Sequence, residues 1–357
     1  MESREVVVVG GGAMGASVAW HLRQLGVTDV VLLERDSLAS GSTSRSAGGI
    51  RAQFSDELNI RIALRSLAEF GRMEGIDLRQ YGYLFLLDRP ADVAAFREAI
   101  ALQQALGVPS RELSVGEALE IVPQLDPEGL LAATFCELDG YCSPESVVQW
   151  YAQGIDVRQG CEVTGMHVES GRIVAVETTK GSIACGAVVC CAGAWSGEVA
   201  AMAGLQLPVE GQKRWIWFSP QDGGLPERLP LTIDFSTSFY FHREGPGVVF
   251  GGKEQTLEEV AEHGLRRLPL LEELPVQTSW WGYYEMSPDH NALVGRAADP
   301  ENLFYATGFS GHGFQQAPAV GEHVAELVAG SEPTLDLSAF DVGRFASGLV
   351  RPETFVV

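Results

Sequence analysis

The run Gly10-Gly11-Gly12-Ala13-Met14-Gly15 satisfies G-x-G-x-x-G, a spacing that carries meaning only when a strand precedes it and a helix follows. Both conditions are legible. Val6 to Val9 is a short β-branched run suited to a strand buried on both faces, and Ala16 to Leu25 has helical spacing with Val18, Ala19 and Leu22 inward. In such a turn Gly10 takes the tight geometry, Gly12 lets a pyrophosphate reach the backbone, and Gly15 lets helix and strand pack closely. Ala13 and Met14 lie where the helix start offers free N–H groups and a partial positive charge to phosphate. Val30 to Leu33 reads as a second buried strand closed by Glu34, 19 residues after Gly15. The Glu34 carboxylate is placed to accept hydrogen bonds from ribose hydroxyls, worth roughly 1.5–3 kcal/mol each. It also repels a 2′-phosphate, an effect that the adjacent Arg35 weakens slightly. Between FAD and NAD the turn alone does not choose.

The elements that position this turn begin as a β-α-β unit with a parallel strand pair over the first 34 residues. Residues 55 to 75 read as a helix, Tyr83 to Leu87 as a strand, and Asp92 to Leu106 as a second amphipathic helix. A helix near 145 to 153 precedes a β-rich stretch in which Ser170-Gly171-Arg172 makes a hairpin turn. Ala187 to Cys191 is again a buried strand. From 213 to 286 the character changes. Trp215, Trp217, Phe218, Phe235, Phe239, Phe241, Trp280 and Tyr284 lie in strand-like runs broken by Pro and Gly, an aromatic-rich antiparallel sheet inserted in an α/β chain. Leu303 to Ala306 is a last short strand, followed by a glycine turn and a helix from about Ala317 to Val328.

The bulk numbers set limits on partners. With 47 acidic and 25 basic residues the formal charge is −22, so nucleic acid and anionic membrane surfaces would repel the chain. A hydrophobic share of 46% against 20% charged excludes disorder. No apolar stretch approaches the roughly 20 residues that span a bilayer, and Arg4 runs straight into a strand rather than a signal sequence. Six cysteines at 136, 142, 161, 185, 190 and 191 show no C-x-x-C spacing. They are expected to be reduced thiols of a cytoplasmic protein that holds no metal.

Four further segments choose the cofactor: Gly41-Ser42-Thr43-Ser44-Arg45-Ser46-Ala47-Gly48-Gly49-Ile50-Arg51, Cys191-Ala192-Gly193-Ala194-Trp195, Trp281-Gly282-Tyr283-Tyr284-Glu285-Met286-Ser287-Pro288-Asp289, and Ala306-Thr307-Gly308-Phe309-Ser310-Gly311-His312-Gly313-Phe314-Gln315-Gln316-Ala317-Pro318. Together they resemble the D-amino-acid-oxidase-like family of FAD enzymes, which includes sarcosine, glycine and dimethylglycine oxidases and D-amino-acid dehydrogenases. The resemblance spans nearly the whole chain. It implies a fold of the glutathione-reductase/p-hydroxybenzoate-hydroxylase type. A Rossmann-like FAD-binding domain (1–80, 141–205 and 285–357) would be interleaved with an antiparallel-sheet substrate domain (81–140 and 206–284).

The resemblance also implies roles. Ser42, Thr43, Ser44, Arg45 and Ser46 would contact FAD, whose pyrophosphate and isoalloxazine edge suit their hydroxyls, N–H groups and guanidinium. Ala192, Gly193 and Trp195 would lie near the dinucleotide, and the Val163 backbone near the adenine. Gly308, Gly311, His312, Gly313, Phe314 and Gln315 would form a turn whose helix points its positive end at the flavin N1/C2 region, stabilising the anionic reduced form. His312 at that edge either tunes the flavin or caps the turn. Arg51 would bind a substrate carboxylate bidentately, against the plain alternative of a helix-entry arginine. Tyr240, Trp281 and Tyr283 either line an aromatic pocket or serve as core.

Three positions depart from the sarcosine-oxidase pattern. Gly282 stands where a cysteine would attach FAD, so the FAD is expected to be non-covalent. Val249 stands where a lysine would activate oxygen, with Lys253 four residues on. Gln315 replaces a second carboxylate-binding lysine, admitting a larger or differently charged amine. The stretches Lys213-Arg214-Trp215 to Phe218 and Phe239-Tyr240-Phe241 are instead similar to D-amino-acid dehydrogenases and to a mitochondrial FAD oxidoreductase linked to respiratory-complex assembly. The activity so implied is oxidation of a small amine or amino acid by hydride transfer to flavin N5, giving an imine, with oxygen or another acceptor taking the electrons. A flavin-bearing assembly or scaffold protein without turnover, and an NAD-dependent dehydrogenase sharing only the turn, are the competing readings.

Overall fold

The computed structural model describes residues 2–350 and 352–355. Its first sheet grows from the apolar N-terminal run. Strand Glu2–Val9 pairs in parallel with Val30–Leu33 on one side and with Gly181–Cys190 on the other. Asp156–Arg158 extends the first side and Leu303–Thr307 the second, both in parallel, and Leu293–Arg296 closes the edge antiparallel. The hairpin Val163–Glu169 and Arg172–Thr178 hangs from Gly181–Cys190, turning at Ser170 and Gly171, which both have positive φ. Helices Ala13–Gln24 and Gly313–Ala329 pack together on one face over a core that includes Val6, Val8, Leu32 and Val320.

The second sheet runs in the order Thr278–Met286, Glu210–Ser219, Gly247–Gly251, Tyr240–Glu244, Leu231–Asp234, Tyr83–Leu87, Ala132–Cys136, Arg111–Leu113. Here the structure corrects the expected all-antiparallel arrangement. Leu231–Asp234 and Tyr83–Leu87 pair in parallel, which joins the aromatic-rich stretch to a strand some 150 positions earlier. A helix, Leu257–Arg267, also interrupts that stretch, started by a capping box in which Thr256 accepts from the Glu259 N–H and Glu259 accepts from the Thr256 N–H.

The two sheets are bridged by a two-stranded pairing of Gly49–Ile50 with Gly140–Tyr141. Arg51 follows directly. The next helix, Glu57–Phe70, is capped by Asp56, whose carboxylate accepts from the Leu58 and Asn59 N–H groups. All six cysteines are free thiols. Among the described residues no helix is long and apolar enough to cross a membrane, and no grouping of acidic, His and Cys side chains is suited to a metal ion.

Candidate active site

A cavity of about 580 Å³ lies between the sheets, running from the glycine turn to the inner face of the aromatic sheet. At one end it is lined by Gly10, Gly12, Ala13 and Met14. Gly10 has φ +110°, and a Cβ there would lie 2.2 Å from the Cys191 carbonyl oxygen, so only glycine fits. Helix Ala13–Gln24 has no side-chain cap and no acidic residue in its first turn. The Ala13 N–H donates to Thr43 Oγ1 at 3.1 Å. Glu34 is fixed at the cavity wall by accepting from the Gly11 N–H (2.7 Å) with one oxygen and from the Asp36 N–H (2.8 Å) with the other. A helix start without an acidic residue in its first turn, a glycine floor that a Cβ would fill, and a carboxylate held at the end of the second strand fit an anionic dinucleotide.

Arg35, Val163, Ala192, Gly193 and Trp195 continue the wall, the Arg35 guanidinium lying 4.5 Å above the Trp195 ring. Ser42, Thr43, Arg45 and Ser46 form the facing wall. This segment is tied to strand Thr278–Met286, because Arg45 donates to the Trp281 carbonyl (3.2 Å) and the Trp280 indole donates to the Arg45 carbonyl (3.3 Å). Gly282 faces it, its missing Cβ 3.0 Å from that of Arg45.

The other end holds Arg51, Gln315, His312, Gly311, Gly313, Phe314, Tyr240 and Tyr283, together with Tyr83, Arg214, Ile216 and Tyr284. Arg51 is 2% exposed, and both its Nη groups donate within the protein. It donates to the Gln53 and Phe355 carbonyls and to His312 Nε2, and its guanidinium stacks 4.1 Å above the Phe54 ring. Burial, with the Arg51 charge beside it, pushes the His312 imidazole well below its ordinary range, so His312 is neutral and accepts. Gln315 Oε1 accepts from the Arg51 backbone N–H at 2.8 Å. Asp139, fully buried, accepts from the Ala52 N–H and from Gln53 Nε2. Burial raises its carboxyl to about 6.

Arg214 differs. Its Nη groups donate to the Lys213 carbonyl and to Gln212 Oε1, but its Nε is buried without a partner, and the guanidinium lies 5.1 Å above the Tyr284 ring. Strand alternation explains the direction: Arg214 and Ile216 face the cavity while Trp217 is core of the opposite face. The Tyr83, Tyr240 and Tyr284 phenols lie around the two arginines, and their removal from water raises all three above the ordinary tyrosine range against the opposing pull of the Arg51 and Arg214 charges. Tyr283 packs edge-on against Trp195 and Trp281.

Three expected contact residues do not line the cavity. Gly15 serves the close packing of helix on strand that the turn requires, its missing Cβ 2.0 Å from the Gly10 carbonyl oxygen. Gly308 lies against Leu293 and Ser287 at φ +68°, and Ser44 spends its N–H on the Ala39 carbonyl. Val249 is buried in its strand opposite Phe218 and His242, and neither it nor Lys253 reaches the cavity. Tyr83, Arg214, Ile216 and Glu285 were not expected. For Arg214 the signal was present, as a cation alternating with aromatic residues in a strand.

A model of the family described as FAD dependent oxidoreductase matches residues 5–327. FAD-dependent oxidoreductase domain-containing protein 1 of Bos taurus is 34% identical over 97% of this chain and 86% of its own length. Sarcosine oxidase subunit beta of Rhizobium meliloti (strain 1021) is 29% identical over 98% of this chain and 90% of its own. The solved structure of L-proline dehydrogenase from P. horikoshii superposes with a TM-score of 0.93, 34% identical over 98% of this chain and 100% of that one. A match of that extent leaves no room for a nicotinamide enzyme that shares only the glycine turn.

Proposed function

The chain belongs to the FAD dependent oxidoreductase family, and on that premise we propose that it oxidises the C–N bond of a small amine or amino acid to an imine. We place the substrate among N-substituted α-amino acids, and the FAD as non-covalent. The observation that carries this reading is the chamber beyond the glycine-turn cleft: tyrosines around two guanidinium groups, with the buried Arg214 Nε–H unpartnered. Such a chamber suits a carboxylate joined to a small apolar amine. The names of two relatives, sarcosine oxidase subunit beta and L-proline dehydrogenase, point to secondary amines bearing a carboxylate.

When bound, FAD supplies the two-electron acceptor for the C–N bond. The protein's part is orientation and electrostatics. Gly10, Gly12 and the start of helix Ala13–Gln24 would hold the diphosphate, and Glu34 the ribose. Ser42, Thr43, Arg45 and Ser46 would close over the dinucleotide, with no thiol at Gly282 to bond it. In the chamber Arg214 takes the carboxylate through its free Nε–H. Arg51, its Nη groups already donating within the protein, contributes charge, and His312 and Gln315 hold it in place. The phenols of Tyr83, Tyr240 and Tyr284 exclude water from the amine carbon. In this reading segments 1–80, 141–205 and 285–357 hold the cofactor, and 81–140 and 206–284 shape the substrate.

The test is an anaerobic panel of sarcosine, L-proline, D-proline, glycine, dimethylglycine and their decarboxylated counterparts against the purified yellow protein. Loss of the oxidised-flavin absorbance with carboxylate-bearing secondary amines supports the reading. A flavin that stays oxidised with every compound overturns it in favour of a scaffold protein without turnover. Repeating the active member in air separates oxygen from another electron acceptor.

A further inference from the structure

Glu285 is an acid in the middle of the cavity wall that the reading above leaves unused. It sits on strand Thr278–Met286, on the side of the cavity formed by Gly193 and the start of helix Gly313–Ala329. One oxygen, Oε1, lies 3.2 Å from where a Cβ on Gly313 would stand. The other, Oε2, lies 2.8 Å from Thr307 Oγ1. The carboxyl also accepts from the Gly308 and Phe309 N–H groups. It has no ion-pair partner among the described residues.

Counting hydrogens favours its protonated form. Thr307 Oγ1 lies within bonding distance of two acceptors, the Gly193 carbonyl oxygen at 3.1 Å and Glu285 Oε2 at 2.8 Å. A hydroxyl carries one hydrogen. If Glu285 is ionised, the two contacts share one proton. If Glu285 is protonated, its O–H donates to Thr307 Oγ1, the Thr307 hydrogen goes to the Gly193 carbonyl, and the chain is complete. Occupation of the cleft presses the same way. A dinucleotide diphosphate brings two negative charges into a cleft where no cation of the described residues pairs with Glu285, and displaces the water there.

We propose that Glu285 is the proton-carrying wall of the dinucleotide cleft, neutral whenever FAD is bound, so that loading FAD onto the ionised apoprotein takes up one proton. This rests on the reading that the cleft holds FAD. The balance is simple: the Glu285 carboxylate, one proton from solvent and FAD give the Glu285 carboxylic acid with FAD beside it. Burial, outweighing the hydrogen bonds from Thr307, Gly308 and Phe309 that favour the carboxylate, brings the carboxyl of the empty cleft to about 7, within the working range. Other groups facing Glu285 do not titrate there. Burial raises the Cys190 thiol to about 11 and the Cys191 thiol further, and His312 on the turn stays neutral. From the neighbouring strand the paired residue is Gly211, which has no side chain.

The sign follows. Because bound FAD raises the affinity of Glu285 for its proton, FAD binding is strongest below about pH 7 and weakens as pH rises, by up to about tenfold per unit. The experiment is calorimetric titration of FAD into apoprotein at about pH 6 and pH 8.5 in buffers of different ionisation enthalpy. Wild type should take up close to one proton at the higher pH and almost none at the lower. Glu285→Gln should bind FAD with little pH dependence and no uptake, while Glu34→Gln keeps the wild-type slope. Proton uptake unchanged in Glu285→Gln, or absent in wild type that does bind FAD, overturns the proposal. Failure to bind FAD at any pH overturns the reading beneath it as well. Should Glu285→Gln not fold, infrared spectroscopy of the wild-type holoprotein with isotope-labelled glutamate gives the same answer. A protonated carboxyl stretch at about pH 8 supports the proposal, and its absence refutes it.

Discussion

Replacing Arg214 by Met keeps most of the side-chain volume and removes the charge and the donors. Its internal acceptors, the Lys213 carbonyl and Gln212 Oε1, belong to half-exposed residues that water reaches, so the change leaves no buried acceptor stranded. The cation over the Tyr284 ring contributes about 0.5–1 kcal/mol, so Tm should move by only a few degrees. What is lost is the buried Nε–H, which has no partner inside the protein and is available to a substrate carboxylate. A hydrogen bond to a charged group is worth about 1.5–3 kcal/mol, which converts to a rise in KM of about 10- to 150-fold. Because that bond is made alike in the ground and transition states, kcat should change by less than about threefold. The assay is steady-state turnover with an artificial electron acceptor, comparing L-proline with pyrrolidine and sarcosine with dimethylamine. The penalty should appear for the acids and vanish for the decarboxylated amines. An equal rise in KM for both classes, or none for either, refutes the assignment of Arg214 as the carboxylate anchor.

Three further outcomes are expected. Arg51→Met strands the Gln53 and Phe355 carbonyls in a buried site, so it should lower stability by about 2–5 kcal/mol, read as a fall in denaturation midpoint at unchanged slope. Gly10→Ala forces a Cβ to 2.2 Å from the Cys191 carbonyl at φ +110°, and the purified protein should lose its bound flavin, seen as loss of yellow colour on gel filtration. Thr256→Ala breaks the capping box of helix Leu257–Arg267 and should cost about 1 kcal/mol with FAD affinity unchanged, checked by chemical denaturation beside a fluorescence titration of FAD.

The first β-α-β unit was readable because each of its parts carries its own local cause: β-branched runs for buried strands, glycines where positive φ or close approach requires them, an acid at the end of the second strand. Tyr83–Leu87 was placed to the residue, since five apolar residues between turn formers admit little else. What escaped was set by tertiary pairing. Nothing local says that Leu231–Asp234 runs parallel to Tyr83–Leu87. Helix Leu257–Arg267 has a legible capping box in Thr256 and Glu259, but the strand-like aromatic runs on either side mask it. Arg214 and Glu285 were missed for a shared reason. Alternation along a strand tells which residues share a face, but only the packed sheets tell which face meets the cavity. Val249 illustrates the converse, since similarity of position along a strand brought it no nearer the chamber.

The contact between Arg51 and Phe355 divides the ways in which the chamber can be damaged. The Phe355 ring stacks on Phe96 at 4.0 Å and is replaceable in kind, since other apolar side chains would fill the same space. The partner of Arg51, however, is the backbone carbonyl, which every residue type supplies. Genetic drift at position 355 therefore leaves the arginine satisfied, whereas a single proteolytic cut ahead of Glu353, whose carboxylate anchors the segment to Ser55 and Asn59, would remove carbonyl and anchor together. The chamber is thus tolerant of sequence change at its rim and vulnerable to the loss of chain continuity there.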